Sequence, residues 1–309
     1  MGVFLALVSS IVVGASDFLG GLAARRASTL TATVWSYVGA VALTIVAALV
    51  SAGVWSRQTV VAGCLAGIFT IVGFLTFYAS LSLGRMAVSA SLVAAIQATV
   101  PAIVALTWGG ERLGPLGMLG AGLAVAGAIT LGWAEGHDEP QTASPRTTES
   151  PERGGSRLPT VLAVVSGISF GGTVVSLHGA RADAGPLAAL VEMVLGLVAI
   201  LGLLGAARRL PSVATGLRRL GIEGPAVAPE DHRSAVRIGL AAGVLLGAAN
   251  LALVAALRIG PLAPVGVVSA TYSMTTTVLA VLVLRERLRP LHVLGIGAGL
   301  LGCALLGIR

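Results

Sequence analysis

Two acids, Asp17 and Glu192, stand inside long apolar stretches of the chain and are the side chains there best able to do chemistry. An ionisable group at bilayer depth costs about 2.5 kcal/mol or more unless water or a partner compensates, so such groups are functional candidates by default. A carboxyl in that setting can hold a proton or a cationic guest, and exchanging one for the other is the elementary step of coupling. Asp17 shares a helical face with Ser10, Gly14 and Gly21, at spacings of 4, 3 and 4. A face of small residues lets neighbouring helices approach closely, which turns Asp17 toward the interior. The competing reading gives Asp17 a local hydroxyl partner, or pairs it with Arg25 or Arg26. Glu192 has Ala188 and Gly196 at helical spacing and also faces inward; it would suit a cationic or amino-bearing guest, against a competing ion pair with His178 or Arg181.

Polar residues on otherwise apolar stretches extend the set. Ser269, Tyr272, Ser273 and Thr276 follow one another at spacings of 3, 1 and 3, a stripe that either lines a water-filled cavity or bonds helix to helix. Gln97, with Ser89 and Pro101 nearby, occupies the comparable place in the first half, and Asn250, Tyr37 and Tyr78 complete the candidate substrate or proton site. Nothing points to an enzyme. The chain has no HExxH, GxSxG or CxxC pattern, its four histidines are dispersed, and Cys64 and Cys303 each sit alone in an apolar stretch. No cofactor and no metal is expected.

The elements that must position these residues follow from composition. With 56% hydrophobic and 11% charged residues and a mean hydropathy of +0.94, the chain is expected to be an all-α integral membrane protein. Apolar runs of about 20 residues, the length that crosses a bilayer, fall at 3–24, 30–52, 60–83, 87–108 and 115–133, then at 158–177, 185–207, 235–257, 262–284 and 291–308. Span 3–24 lacks a basic leader and reads as a first helix rather than a cleaved signal. Between the two sets of five lies 135–157, rich in Pro, Ser, Thr and Glu, a flexible polar linker. The interval 207–237 carries six arginines and reads as a solvated loop more readily than as a short interfacial helix.

The two sets are related. "ERLGPLGMLG" from Glu111 and "ERLRPLHVLG" from Glu286 agree at seven of ten positions, and "GAGLAVAG" from Gly120 is echoed by "GIGAGLLG" from Gly295. Both copies fall between the fourth and fifth spans of their half. A tandem duplication of a five-helix unit follows, 1–134 and 158–309, and an odd unit makes the second copy inverted. Glu111, Arg112 and Pro115, with Glu286, Arg287 and Pro290, form the structural motif of the repeat. Each acid precedes a proline suited to a helix's first turn, where it can stabilise exposed amides.

With "GASDFLGGLAARR" from Gly14, "GISFGG" from Gly167, the stretch from Tyr78 through Pro101 to Glu111 and the run from Asn250 through Glu286, the chain resembles the EamA-type members of the drug/metabolite transporter superfamily over nearly its whole length. The resemblance implies ten helices in two inverted halves and secondary transport of small metabolites, amino acids or drugs, commonly outward and in exchange for protons. A non-transporting membrane scaffold or sensor, or an uncoupled facilitator, is the alternative. Pro101 departs from the internal symmetry, since its counterpart falls near Thr276, and an acid at 192 departs from the family's frequent basic residue in that region.

The net charge of +7 rests on 20 arginines spread over both faces, with no nucleic-acid module; anionic lipid headgroups of a multi-pass plasma-membrane protein are the expected partners, beside a small-molecule substrate and a coupling proton. Of these arginines 15 fall on the side of the odd-numbered loops and 5 on the side of the termini, which puts the termini outside by the positive-inside rule. The family resemblance implies the opposite. The expected assembly is a monomer or a homodimer.

Overall fold

Long apolar segments without alternating polarity can satisfy their backbone in lipid only as helices, and helices are what the computed structural model contains. It describes residues 1–84, 86–107, 114–116, 118–120, 122–123, 126–127, 130, 157–219, 222, 229–260, 262–284 and 290–306. The helices are α1 (Gly2–Arg26), α2 (Thr29–Val50), α3 (Arg57–Leu83), α4 (Met86–Thr107), α5 (Leu158–His178), α6 (Leu187–Arg209), α7 (Pro211–Arg219), α8 (Pro229–Ile259), α9 (Leu262–Ala270), α10 (Tyr272–Leu284) and α11 (Pro290–Leu306). A single 3-10 turn, Ala182–Ala184, joins α5 to α6, and no strand occurs among the described residues.

Six of these helices, α1, α2, α3, α5, α6 and α8, are long and apolar enough to cross a membrane. Their outward faces carry Val46, Leu49, Ile68, Val161 and Val198, all exposed, a coat that water would not tolerate and lipid does. The protein is a multi-pass integral membrane protein.

Starts and breaks have local causes. Ser28 and Ser56 each cap a helix, accepting from Thr31 N and Thr59 N at 3.1 Å. The expected span 262–284 is divided at Thr271, whose hydroxyl donates to Val268 O at 2.7 Å, whereas α4 runs through Pro101 unbroken. The interval 207–237 differs from the expected loop. Pro211 opens α7, Leu217 turns inward to near-complete burial, and α8 begins at Pro229 with Glu230 and Asp231 in its first turn, where acids complement the helix dipole. Of the fifth span, the described residues from Pro115 to Thr130 have helical backbone. There a Cβ on Gly127 would stand 2.5 Å from Gly299 N of α11, so the two closing segments touch backbone to backbone.

Packing pairs elements of one half with elements of the other. α1 lies on α8, and α5 lies on α3; α2 lies on α8, and α6 lies on α3; α4 lies on α5, and α9 and α10 lie on α1. The second member of each pair is the first with halves exchanged, and individual bonds obey the same exchange. Ser9 Oγ donates to Ala249 O at 2.7 Å, and Ser166 Oγ, 157 residues on, donates to Gly73 O at 3.0 Å. Ser16 Oγ donates to Ala242 O at 2.7 Å, and Thr173 Oγ1, again 157 residues on, to Ala66 O at 3.5 Å. The acceptors differ by a constant 176 residues.

Candidate functional site

Glu192 leaves α6 near its start, 1% exposed, and both its oxygens are held. Thr70 Oγ1 of α3 donates to Oε1 at 2.6 Å, and Asn250 Nδ2 of α8 donates to Oε2 at 2.8 Å. Thr70 in turn shares a hydrogen bond of 2.9 Å with Thr173 Oγ1 of α5. Four helices therefore meet on one carboxylate. They can approach because α3 presents Gly67 to α6; a Cβ there would lie 2.9 Å from Glu192 O. On the exchanged pair, Gly243 of α8 meets Ser36 O of α2 in the same way, which makes Ser36 the positional counterpart of Glu192.

Asp17, 2% exposed, sits on α1 beneath the break between α9 and α10. Gly14, one turn before it, is pressed against Tyr272 O and the Thr275 side chain; Thr276 Oγ1 donates to Gly14 O at 3.1 Å, and Ser10 Oγ and Thr271 Oγ1 are 2.9 Å apart. Among the described residues no hydrogen-bond donor reaches the Asp17 carboxyl.

Both acids line one cavity of about 80 Å3, together with Gln97, Asn250, Ser269 and Tyr272. The candidate set thus divides. Asp17, Glu192, Gln97, Asn250, Ser269 and Tyr272 come together; Thr276 is spent on packing α10 against α1. Tyr37 and Tyr78 stand behind the cavity, fully buried, in an aromatic layer with Phe74, Phe77 and Phe170 whose ring centroids lie 5.1–6.0 Å apart. Glu111, Arg112, Glu286 and Arg287 lie outside the described residues, as does the Ser273 side chain, while helical backbone begins at Pro115 and Pro290.

Among the described residues no ion pair joins Asp17 to Arg25 or Arg26, or Glu192 to His178 or Arg181. Arg25 donates to Leu81 O at 2.9 Å, Arg26 donates to Ser234 Oγ at 2.6 Å, and Arg181 chelates Asp183 at 3.0 and 2.9 Å. That last bond, in the turn outside the spans, holds the Asp183 carboxyl below its ordinary range. Sequence reasoning missed Thr70 and Thr173. Gly63, Gly67 and Thr70 do follow at spacings of 4 and 3 on one face, a pattern that marks close approach of a neighbouring helix but not the threonine's partner.

The cavity is chemically lopsided on a balanced frame. Under the same exchange of halves Asp17 answers to Val174, Thr70 to Leu246, Asn250 to Phe74 and Gln97 to Tyr272, all of them lining residues. Glu192 lies near the end of the bundle where Val54 N donates to Asp183 O and Arg258 donates to Gly185 O. Tyr37, Phe77 and Tyr78 lie toward the end marked by Arg25. One end of the site is polar, the other a wall of rings.

A cavity lined by two buried acids, between paired halves of an apolar helical bundle, is the layout of a membrane carrier. The model of the EamA-like transporter family matches residues 1–133 and 158–308, and the chain belongs to that family. No curated protein matches it. One solved structure, described only as the crystal structure of a protein, shares 18% identity over 96% of either chain with a TM-score of 0.57, a likeness of fold alone.

Proposed function

We propose that this protein is a proton-linked secondary transporter that exports small metabolites, amino acids or drugs across the plasma membrane by alternating access. The observation that carries the reading is the single cavity lined by both intramembrane acids where the two halves meet. Membership of a transporter family supports it. So does the exchange of bonds between halves, which is what a duplicated, inverted unit of five spans would produce, with 1–134 and 158–309 as the repeats and 135–157 as the linker.

At about 80 Å3 the cavity is far below the roughly 300–1,000 Å3 of drug-sized pockets. This is a contracted state. Substrate enters by separating the halves, and the aromatic layer is the barrier that must part for it to leave on the Arg25 side. Coupling needs a carboxyl that takes a proton when the guest departs. The titratable groups around the cavity are Asp17, Glu192, Tyr37, Tyr78 and Tyr272. Asp17, which no described donor satisfies, is the one assigned to the proton.

The test is flux in proteoliposomes holding purified protein, with an imposed pH gradient and a panel of amino acids, amines and cationic dyes. Wild type moves at least one of them faster when the gradient is present, and Asp17→Asn loses that acceleration while remaining folded. Gradient-dependent flux that survives unchanged in Asp17→Asn removes Asp17 from the coupling role. An absence of any flux replaces transport with a scaffold or sensor role.

A further inference from the structure

The lining of the cavity has a sign. Among the described lining residues the carboxyls are two, Asp17 and Glu192, and none is Arg, Lys or His. Four of its donors are spent: Thr70 and Asn250 on Glu192, Ser9 on Ala249 O, and Ser269 on Gly266 O at 2.8 Å. Beside them stands acceptor capacity. Gln97 Oε1 is buried, on a residue 8% exposed, with no hydrogen-bond partner, and Asp17 is likewise without a described donor. A buried acceptor left unmade costs about 1–3 kcal/mol, so a guest that brings N–H donors gains at these atoms.

We propose that the site takes small protonated primary amines and discriminates against free amino acids. This rests on the transport reading and sharpens it. An ammonium group supplies three donors and one positive charge, which matches the two carboxyls and the Gln97 oxygen. A neutral alcohol brings one donor and no charge. An amino acid brings the same ammonium with a carboxylate that must be buried beside Asp17 and Glu192 without a counter-charge, a penalty of several kcal/mol in a dry site. Because the cavity of about 80 Å3 is a contracted one, it fixes the charge and donor pattern of the guest rather than its size.

The asymmetry of the frame supports the same assignment. The place of Glu192 is taken in the other half by Ser36, and that of Asp17 by Val174. Negative groups therefore come once each, rather than in symmetric pairs, and the site offers one seat for one cation.

The experiment is direct binding to the purified full chain in nanodiscs at neutral pH, by calorimetry and by thermal shift, with propylammonium, alaninamide, alanine, propionate, propanol and sodium ion as separate probes. Propylammonium and alaninamide are expected to bind saturably, alanine at least tenfold more weakly, and propionate, propanol and sodium not at all. Glu192→Gln weakens propylammonium at least tenfold. Gln97→Leu weakens propylammonium but leaves tetramethylammonium, which has no N–H, unaffected. The wild-type probe series stands by itself should a variant misfold.

Equal binding of alanine and alaninamide overturns the proposal, as does preferential binding of propionate or propanol. Saturable binding of sodium at the same site overturns it too, by making the seat one for an inorganic ion. The transport reading fails separately. Gradient-driven flux of neutral or anionic solutes with no amine binding leaves a transporter and removes the amine; amine binding without flux of any probe keeps the amine and removes the transporter.

Discussion

At the scale of single residues, Glu192 sits at the junction of α3, α5, α6 and α8, and its two hydrogen bonds define what mutation should do. Thr70→Val and Asn250→Leu each remove one donor. Unfolding in detergent should show each costing about 1 kcal/mol, near the upper half of what interhelical hydrogen bonds yield in membrane proteins. Combined with Glu192→Gln, either should give less than the sum of the single losses, and full additivity would show that the bonds carry no coupling. Both acids were legible in the sequence because charge is rare in apolar spans. Thr70 was not, because threonines in membrane helices commonly satisfy themselves on their own backbone, as Thr33 does on Thr29 O at 2.8 Å and Thr44 on Ala40 O at 3.0 Å. Nothing in composition separates Thr70 from those two. Thr276 stood in a stripe that read as cavity lining or as a helix-to-helix bond, and its hydroxyl donates to Gly14 O, since the spacing that defines a face cannot say which neighbour the face meets.

At the scale of elements, close approach is the governing feature, and glycines set it. A Cβ on Gly20 would collide with the Tyr78 ring, whose own place in the aromatic layer is fixed by Phe74 at 5.3 Å and Phe77 at 5.9 Å. Gly20→Ala should therefore cost about 1–3 kcal/mol of stability by overpacking. If the wild-type melting temperature is retained, the layer yields more readily than its packing implies. Ser28→Ala and Ser56→Ala each remove an N-cap and should cost about 1 kcal/mol, measured in the same way. Where helices exist was readable from apolar length; where they stop was not. Pro101 lies inside a continuous α4, and the break fell at Thr271, which has no proline and whose hydroxyl rests on Val268 O. Breaks of that kind arise from what packs against the helix, here Gly14 of α1, and so leave no local signature. Helix α7 was hidden for a different reason: its arginines outweigh its apolar face in any average along the chain.

At the scale of the whole molecule, the repeated corner around Glu111 and Glu286 is what led the sequence to be read as a duplication, although those residues lie outside the described ones. The described frame has corresponding bonds at Ser9 and Ser166, which no sequence comparison would single out. Ser9→Ala and Ser166→Ala should cost similar amounts, about 0.6 kcal/mol each, and the double variant should cost their sum. Strongly unequal losses would mean that the halves share connections without sharing energetics.

The aromatic layer also acts as an electrical component. A slab of packed rings is a poor dielectric, and a potential applied across a membrane falls mainly over its poorest dielectric. Tyr37, Phe74, Phe77, Tyr78 and Phe170 would then form the gap of a capacitor, with the carboxylate of Glu192 on one plate. Moving a unit charge through 100 mV is worth about 2.3 kcal/mol. That work would be done on whatever charge crosses the layer, so the voltage sensitivity of turnover should follow the net charge that passes the rings.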